Sequence, residues 1–344
     1  PKDLPAIPAV RRYARMMITV VAVPFEDERA QALWEAQQDE VGAICGRPGV
    51  RTALHAEGVI VSLLALTSDG EPMGTVMAKW SQYHPDRPGA AEIKRLYVAP
   101  EHRGHRHARV LMGALERATW RAGATELVLQ TGALQPGAVS VYRGIGYRDT
   151  VGFGAYAGEP DSVCLAKQLP TRVLVINGTI GAGKTSTAAA VHDVLAEEGA
   201  RSAFIDADYL CQATPLPEDD SFGQALLFEN LAAVSPVYRA RGYGCVVIAR
   251  VVEDARDRDR YAAAFSGPGG RAHVSIVRVT ASQDARVSRI SAREPEGYWR
   301  ELCLARTVEL DEVLEDLDLD DGVVSSEGAT RIEVAKAALD AAGW

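Results

Sequence analysis

Between residues 178 and 186 the chain reads GTIGAGKTS. Gly178, Gly183, Lys184 and Thr185 have the spacing at which main-chain N–H groups converge on phosphate oxygens, where a helix dipole adds its attraction. Gly181 lies inside the turn, and Ser186 follows in the first turn of the expected helix. In such a loop Lys184 reaches the β- and γ-phosphates of ATP, and Thr185 holds Mg²⁺. The alternative is a plain Gly-rich turn, which leaves the lysine unexplained. A second candidate is IDADYL, with Asp206 and Asp208. A carboxylate there can bind a metal through water or take a proton from a hydroxyl.

These residues need a frame. Residues 172–177, RVLVIN, form a continuous apolar strand of the kind buried on both faces. Helices are expected over 185–199, 222–241 and 253–265. Strands are expected at RSAFID, GCVVIAR and AHVSIVRV. Two more helices, the strand DGVVSS and a terminal helix complete the half. Strands alternating with helices predict a parallel α/β sheet with helices on both faces. Asp206 and Asp208 then follow the second strand at its carboxyl end, where ligands collect. The acidic run 309–321 reads as a solvated helix face, since it lacks the glycine and ligand spacing of a calcium loop.

The second half resembles the small-molecule kinases of the P-loop superfamily, such as adenylylsulfate kinase, chloramphenicol phosphotransferase and gluconate kinase. The resemblance covers most of residues 171–344. It implies Asp208 as the base, with Asp206 nearer the metal. Leu210 and Cys211 replace the arginine that usually follows, which speaks against adenylylsulfate as substrate. SQDARVSRISARE is similar to the lid of these kinases. Arg289 and Arg293, four apart, share a helix face and could both reach the transferring phosphate; a solvated helix with an Arg–Glu pair is the alternative. Arg250 either enters the substrate site or pairs with Glu253 or Asp254.

The first half offers other chemistry. AEIKRLYV is a strand over 90–98, followed by PEHRGHRHARVLMGALE, a loop opening into a helix over 107–122. Earlier come a strand over 17–25, a helix over 27–44 capped by Asp27, and two strands joined at Ser68-Asp69-Gly70. Later come the strand 125–131, a short helix in GAVSVYRGIGY and the strand SVCLAKQL. This half resembles the GNAT superfamily of acyl-CoA-dependent N-acyltransferases over residues 17–168, which implies a mixed sheet with helices. The family loop reads R-x-x-G-x-G/A after a V-x-P-x-x-R-G approach. Here Val98, Arg103, Gly104, His105 and Ala108 fit, and Arg106 replaces the middle glycine. The resemblance implies that main-chain N–H groups of this turn bind the pyrophosphate of acetyl-CoA. A negative φ is expected at Arg106, with its side chain swung outward. Glu92 is the implied base, with an ion pair to Lys94 as the alternative. Tyr142 is the implied proton donor to the CoA sulfur, with a core tyrosine as the alternative. His102, His105 and His107 lack metal-ligand spacing and read as phosphate-facing or solvated.

Composition bounds the rest. The chain has 344 residues, 47% hydrophobic and 24% charged, with a formal net charge of -9. Residues 1–169 hold 19 basic and 18 acidic side chains, and residues 170–344 hold 18 and 28. That acidic surface argues against nucleic acid. Five scattered cysteines read as free thiols. The apolar run 58–66 is too short for a bilayer, and a cytoplasmic chain without a membrane partner is expected. A loose basic arm is expected over 1–16, and the domain boundary at Leu169-Pro170-Thr171 gives domains 1–169 and 170–344. Two resemblances in one chain imply a bifunctional enzyme acting on amine- and hydroxyl-bearing small molecules, in the manner of tailoring or resistance enzymes. The alternative is a kinase or ATPase whose first domain is an acyl-CoA sensor or scaffold.

Overall fold

The computed structural model describes residues 18–84, 86–220 and 222–344. The expected arm at 1–16 and the start of the first strand at Met17 lie outside the described residues. The chain divides into two compact units, the first ending at Leu169 and the second beginning at Pro170.

In the first unit, β1 (Thr19–Val23), β2 (Val59–Leu66), β3 (Pro72–Trp80) and β4 (Ala90–Val98) form an antiparallel meander. Strand β5 (Glu126–Gly132) joins β4 in parallel, and β7 (Ser162–Gln168) and β6 (Arg148–Asp149) complete the sheet in the order β1-β2-β3-β4-β5-β7-β6. Two-residue β6 was not anticipated, being too short to show any periodicity. Helix α1 (Glu28–Ile44) begins at the Asp27 cap, whose carboxylate accepts from the N–H groups of Arg29 and Ala30. Helices α2 (His107–Arg121) and α3 (Pro136–Gly144) follow β4 and β5. Leu111, Met112 and Leu115 of α2 share one core with Ile93, Leu127, Leu129 and Tyr142. Met77, Leu64 and Trp34 of α1 pack on the other face.

The second unit is a parallel sheet, β12-β11-β8-β10-β9, comprising β8 (Arg172–Asn177), β9 (Ser202–Asp206), β10 (Cys245–Ala249), β11 (His273–Thr280) and β12 (Gly322–Ser325). β8 is central, and its alternate residues feed two cores. Val173 and Val175 pack with Leu227, Leu231 and Tyr261 from α5 (Gln224–Ala240) and α6 (Asp257–Ala264). Leu174 and Ile176 pack with α4 (Lys184–Glu197) and α9 (Arg331–Ala341). A strand buried on both faces must be apolar throughout, as RVLVIN largely is. Helices α7 (Gln283–Arg293) and α8 (Tyr298–Leu317) connect β11 to β12.

Two expectations needed correction. Helix α6 starts four residues later than expected, because the Asp254 carboxylate caps the Arg256 N–H at 2.9 Å in a turn ahead of it. The acidic run is more than a solvated face. Helix α8 stops at Leu317, and Asp320 then turns inward, where it accepts from Asn177 Nδ2 at 3.1 Å and pairs with Arg278. Asp321 accepts the Ile276 N–H at 2.8 Å. These carboxylates fasten the chain end of β11 to the root of the glycine loop.

Candidate functional sites

Strands β4 and β5 pair over three residues only, Ala90 to Glu92 against Glu126 to Val128. Beyond Glu92 they separate, and a wedge opens between their carboxyl halves. On the β3 side, a bulge interrupts β4 at Arg95, whose φ is +56°. Its guanidinium donates to the Thr52 carbonyl at 2.6 Å. After β4 the chain makes a single turn at Pro100–His102 and reaches α2 through residues 103–106.

The expectation of a negative φ at Arg106 does not hold. Arg106 caps α2 with φ +65° and ψ 16°, in the left-handed region. The chain arrives from Gly104, itself at φ +84°, and must reverse into the helix, so the cap residue takes a conformation that glycine would adopt without strain. The Arg106 side chain is exposed, as expected. The N–H groups from Gly104 to Ala108 have no hydrogen-bond partner among the described residues, and they point as the opening of a helix directs them. The Arg103 guanidinium is otherwise engaged: it donates to the Val98 carbonyl at 2.9 Å and pairs with Glu40 of α1 at 2.6 Å. It braces the loop, and Val98 is a core residue whose carbonyl receives that brace. His105 and His107 stack at 5.6 Å, and His107 Nδ1 lies 3.0 Å from the His102 carbonyl. Burial pushes His107 below its ordinary pKa, which favours the neutral imidazole, while its hydrogen bond to the His102 carbonyl opposes the shift. No group of three or more metal-ligating side chains forms among the described residues.

Glu92 is buried at the last paired rung of β4 and β5, and its Oε1 is ion-paired with Lys94 Nζ. The alternative reading of that carboxylate is therefore realised in its geometry. Tyr142 of α3 is buried at the edge of the core, with the Tyr147 ring 5.9 Å away. Burial pushes its phenol far above the ordinary value, so it keeps its proton throughout the physiological range.

In the second unit, Gly178, Gly181 and Gly183 have φ of +141°, +81° and +108°. A Cβ at Gly178 would run into the Val279 carbonyl oxygen, and one at Gly181 would lie 2.9 Å from that of Arg286. Asn177 locks the entry: its Oδ1 accepts from Gly178 N at 2.8 Å and from Val252 N at 2.9 Å. Lys184 is the first residue of α4, and its Nζ donates to the Thr179 carbonyl at 3.0 Å. Loss of hydration lowers its pKa to about 8, with Asp208 opposing and Arg250 and Arg293 adding to the shift. Thr185 and Ser186 are exposed in the same turn. Asp206 ends β9 and accepts the Asp208 N–H at 3.3 Å. Arg250 pairs with Asp208 at 2.6 Å rather than with Glu253 or Asp254; those two pair with Arg306 and Arg256. Arg289 bonds the Gly181 and Ala182 carbonyls at 3.1 and 3.2 Å. Arg293 instead pairs with Glu294 at 2.8 Å. The structure thus brings Lys184 and Arg289 together on the loop, and turns Arg293 to its neighbour.

Residues 21–147 match the sequence pattern of the Acetyltransferase (GNAT) family. An IAA acetyltransferase of Azospirillum brasilense is 36% identical over 81 residues, 24% of this chain and 53% of that protein. N-acetyltransferase 8 of Rattus norvegicus is 35% identical over 83 residues, 24% of this chain and 37% of that protein. The first unit holds a GNAT acetyltransferase domain. The chain spans about half the length, or less, of the curated relatives it matches. A spermidine N-acetyltransferase of Vibrio cholerae, solved with CoA and spermine, is 15% identical with a TM-score of 0.34, over 44% of this chain and 95% of that one. No described helix is long and apolar enough to cross a membrane.

Three features of the acetyltransferase domain were not read from sequence. The Arg95 bulge and the Glu40–Arg103 brace leave no local pattern, because each depends on residues brought together by the sheet. Tyr156, above whose ring centroid Lys94 Nζ sits at 5.8 Å, ends the single 3-10 turn Gly154–Tyr156, too short to show a periodicity.

Proposed function

We propose that the chain joins an acetyl-CoA-dependent N-acetyltransferase to an ATP-dependent phosphotransferase, both acting on small molecules. The observation behind the first activity is the wedge beyond Glu92 together with the free N–H groups of residues 104–108. A pantetheine arm fits between separated strands, and a pyrophosphate suits a helix opening. Acetyl-CoA supplies the activated acyl group. Glu92 takes the proton of the acceptor amine once Lys94 yields its place, and Tyr142, held protonated by burial, gives a proton to the departing sulfur. An amine acceptor accords with the spermidine enzyme among the similar structures.

Support for the second activity is the glycine loop ahead of Lys184, with Asp208 at the neighbouring strand end. Gly178, Gly181, Gly183, Thr185 and Ser186 would cradle the phosphates of ATP, and Lys184 and Arg289 would balance their charge. Magnesium keeps most of its waters and takes few protein oxygens, so Thr185 and Asp206 suffice for it. Asp208, released by Arg250, would accept the proton of a hydroxyl acceptor.

Calorimetric titration of the full chain separates the parts. One acetyl-CoA and one Mg-ATP per chain are expected, each in the micromolar range that such cofactors commonly reach, about -8 kcal/mol. Absence of either binding isotherm removes the corresponding activity. The engagement of Glu92 by Lys94 favours one rival, in which the first unit binds acyl-CoA without catalysis. That rival predicts acetyl-CoA binding with no acetylated product from any amine.

A further inference from the structure

Lys94 stands two residues beyond Glu92 on the same face of β4, where the strand has already parted from β5. Its ammonium pairs with the buried Glu92 carboxylate and sits over the Tyr156 ring. Tyr156 belongs to the segment leading into β7, the strand that pairs with β5. The ammonium therefore spans the mouth of the wedge, held by one group from each side. The Tyr156 ring meets Phe153 edge-on with centroids 6.0 Å apart, and the Tyr83 centroid lies 6.4 Å from that of Phe153. A carboxylate with aromatic faces is the chemistry that holds an ammonium. The chain supplies that ammonium from its own Lys94 side chain.

We propose that Lys94 is an acetyl acceptor, modified in cis by the domain that contains it. This rests on the reading that the first unit uses acetyl-CoA. The ammonium gives one proton to Glu92. The freed amine attacks the thioester carbonyl carbon, an N–C bond forms and the C–S bond breaks. The nitrogen sheds its second proton and the thiolate gains one, so the sum is one acetyl-lysine, one CoA thiol and one released proton. The product amide carries no charge and stays in the wedge mouth, so the reaction stops after one equivalent. It frees Glu92 from its ion partner but leaves the acetyl group filling the wedge mouth, so the acetylated chain admits diffusible amines more slowly than the fresh one.

The test is incubation of the full chain with acetyl-CoA deuterated in the acetyl group, followed by peptide mass mapping. Exposed Lys336 is the internal reference for uncatalysed acetylation. The expected result is label on Lys94 outrunning that on Lys336, at a rate independent of protein concentration, and slowed about a hundredfold by Glu92→Gln. Label on Lys94 no faster than on Lys336 overturns the proposal, as does a rate that scales with protein concentration. If calorimetry shows acetyl-CoA bound while Lys94 stays unlabelled, self-acetylation fails and the acetyltransferase reading stands. If acetyl-CoA does not bind, both fall.

Discussion

Two loops in this chain do the same geometric task, delivering a strand into the N-terminus of a helix, and they use glycine differently. At 178–183 three glycines occupy positive φ, and at Gly178 and Gly181 the neighbouring backbone also leaves no room for a Cβ. At 104–106 the positive φ falls on Gly104 and on Arg106, and a Cβ built on Gly104 meets nothing within 4 Å. The second-unit loop is packed under α7 and β11, while the first-unit loop is open. A packed loop needs glycine for space and conformation together. An open loop needs it for conformation alone, and a left-handed arginine costs about 1–2 kcal/mol rather than a collision.

The largest effect should come from the lysine that only one loop possesses. Lys184→Ala is expected to reduce phosphoryl transfer by roughly a hundred- to a thousandfold, with the calorimetric melting of the chain preserved. Transfer at the wild-type rate would remove the phosphate-binding role. Next is the packing contrast itself. Gly178→Ala adds a methyl against the Val279 carbonyl as well as forcing a positive φ. A loss of roughly 2–5 kcal/mol is expected from the two together, measured by urea unfolding. A loss below 1 kcal/mol would mean that the loop yields, and the contrast would be weaker than the distances suggest.

Much of this contrast was legible beforehand. The spacing of Gly178, Gly183 and Lys184 after an apolar strand announced the second loop, because a strand buried on both faces cannot hide its composition. The first loop was legible as far as its helix. Its backbone conformation was not, since the φ of Arg106 is fixed by where β4 ends and α2 packs, through Leu111 and Leu115, rather than by any local residue. Likewise the resemblance singled out Glu92 on β4 as a candidate, and its pairing with Lys94 remained an alternative until the strand face placed the two side by side. Arg103 was readable as a loop residue and became a brace only when α1 brought Glu40 to it.

The titration of Lys184 gives a smaller effect with two opposite signs. Its folded pKa is about 8, below the ordinary value of 10.5. Between these values the unfolded chain binds the extra proton, so stability rises with pH across that window. Nucleotide affinity should move the other way, weakening as pH rises through 8 and Lys184 loses its charge. Calorimetric melting and Mg-ATP titration at pH 7 and pH 9 check both signs, and Lys184→Met should flatten both. Parallel changes of the two quantities would assign the pH dependence to another group.

Arg106→Gly should produce the smallest change, and it isolates what the open loop asks of its cap. Relief of the left-handed strain favours the variant by about 1–2 kcal/mol. The greater freedom of glycine in the unfolded chain returns roughly 0.4–1 kcal/mol. Net stability should therefore rise by roughly 0–1.6 kcal/mol, against the large loss at Gly178. Acetyl-CoA affinity divides the remaining possibilities. If Arg106 contributes only its N–H, affinity holds, since glycine has the same N–H. If its exposed guanidinium also meets the pyrophosphate, affinity falls, and the fall shrinks as salt is raised, because exposed charge pairs are screened within about 10 Å at 0.1 M. A salt-independent fall would contradict both, and would mean that the arginine stem holds the loop in shape.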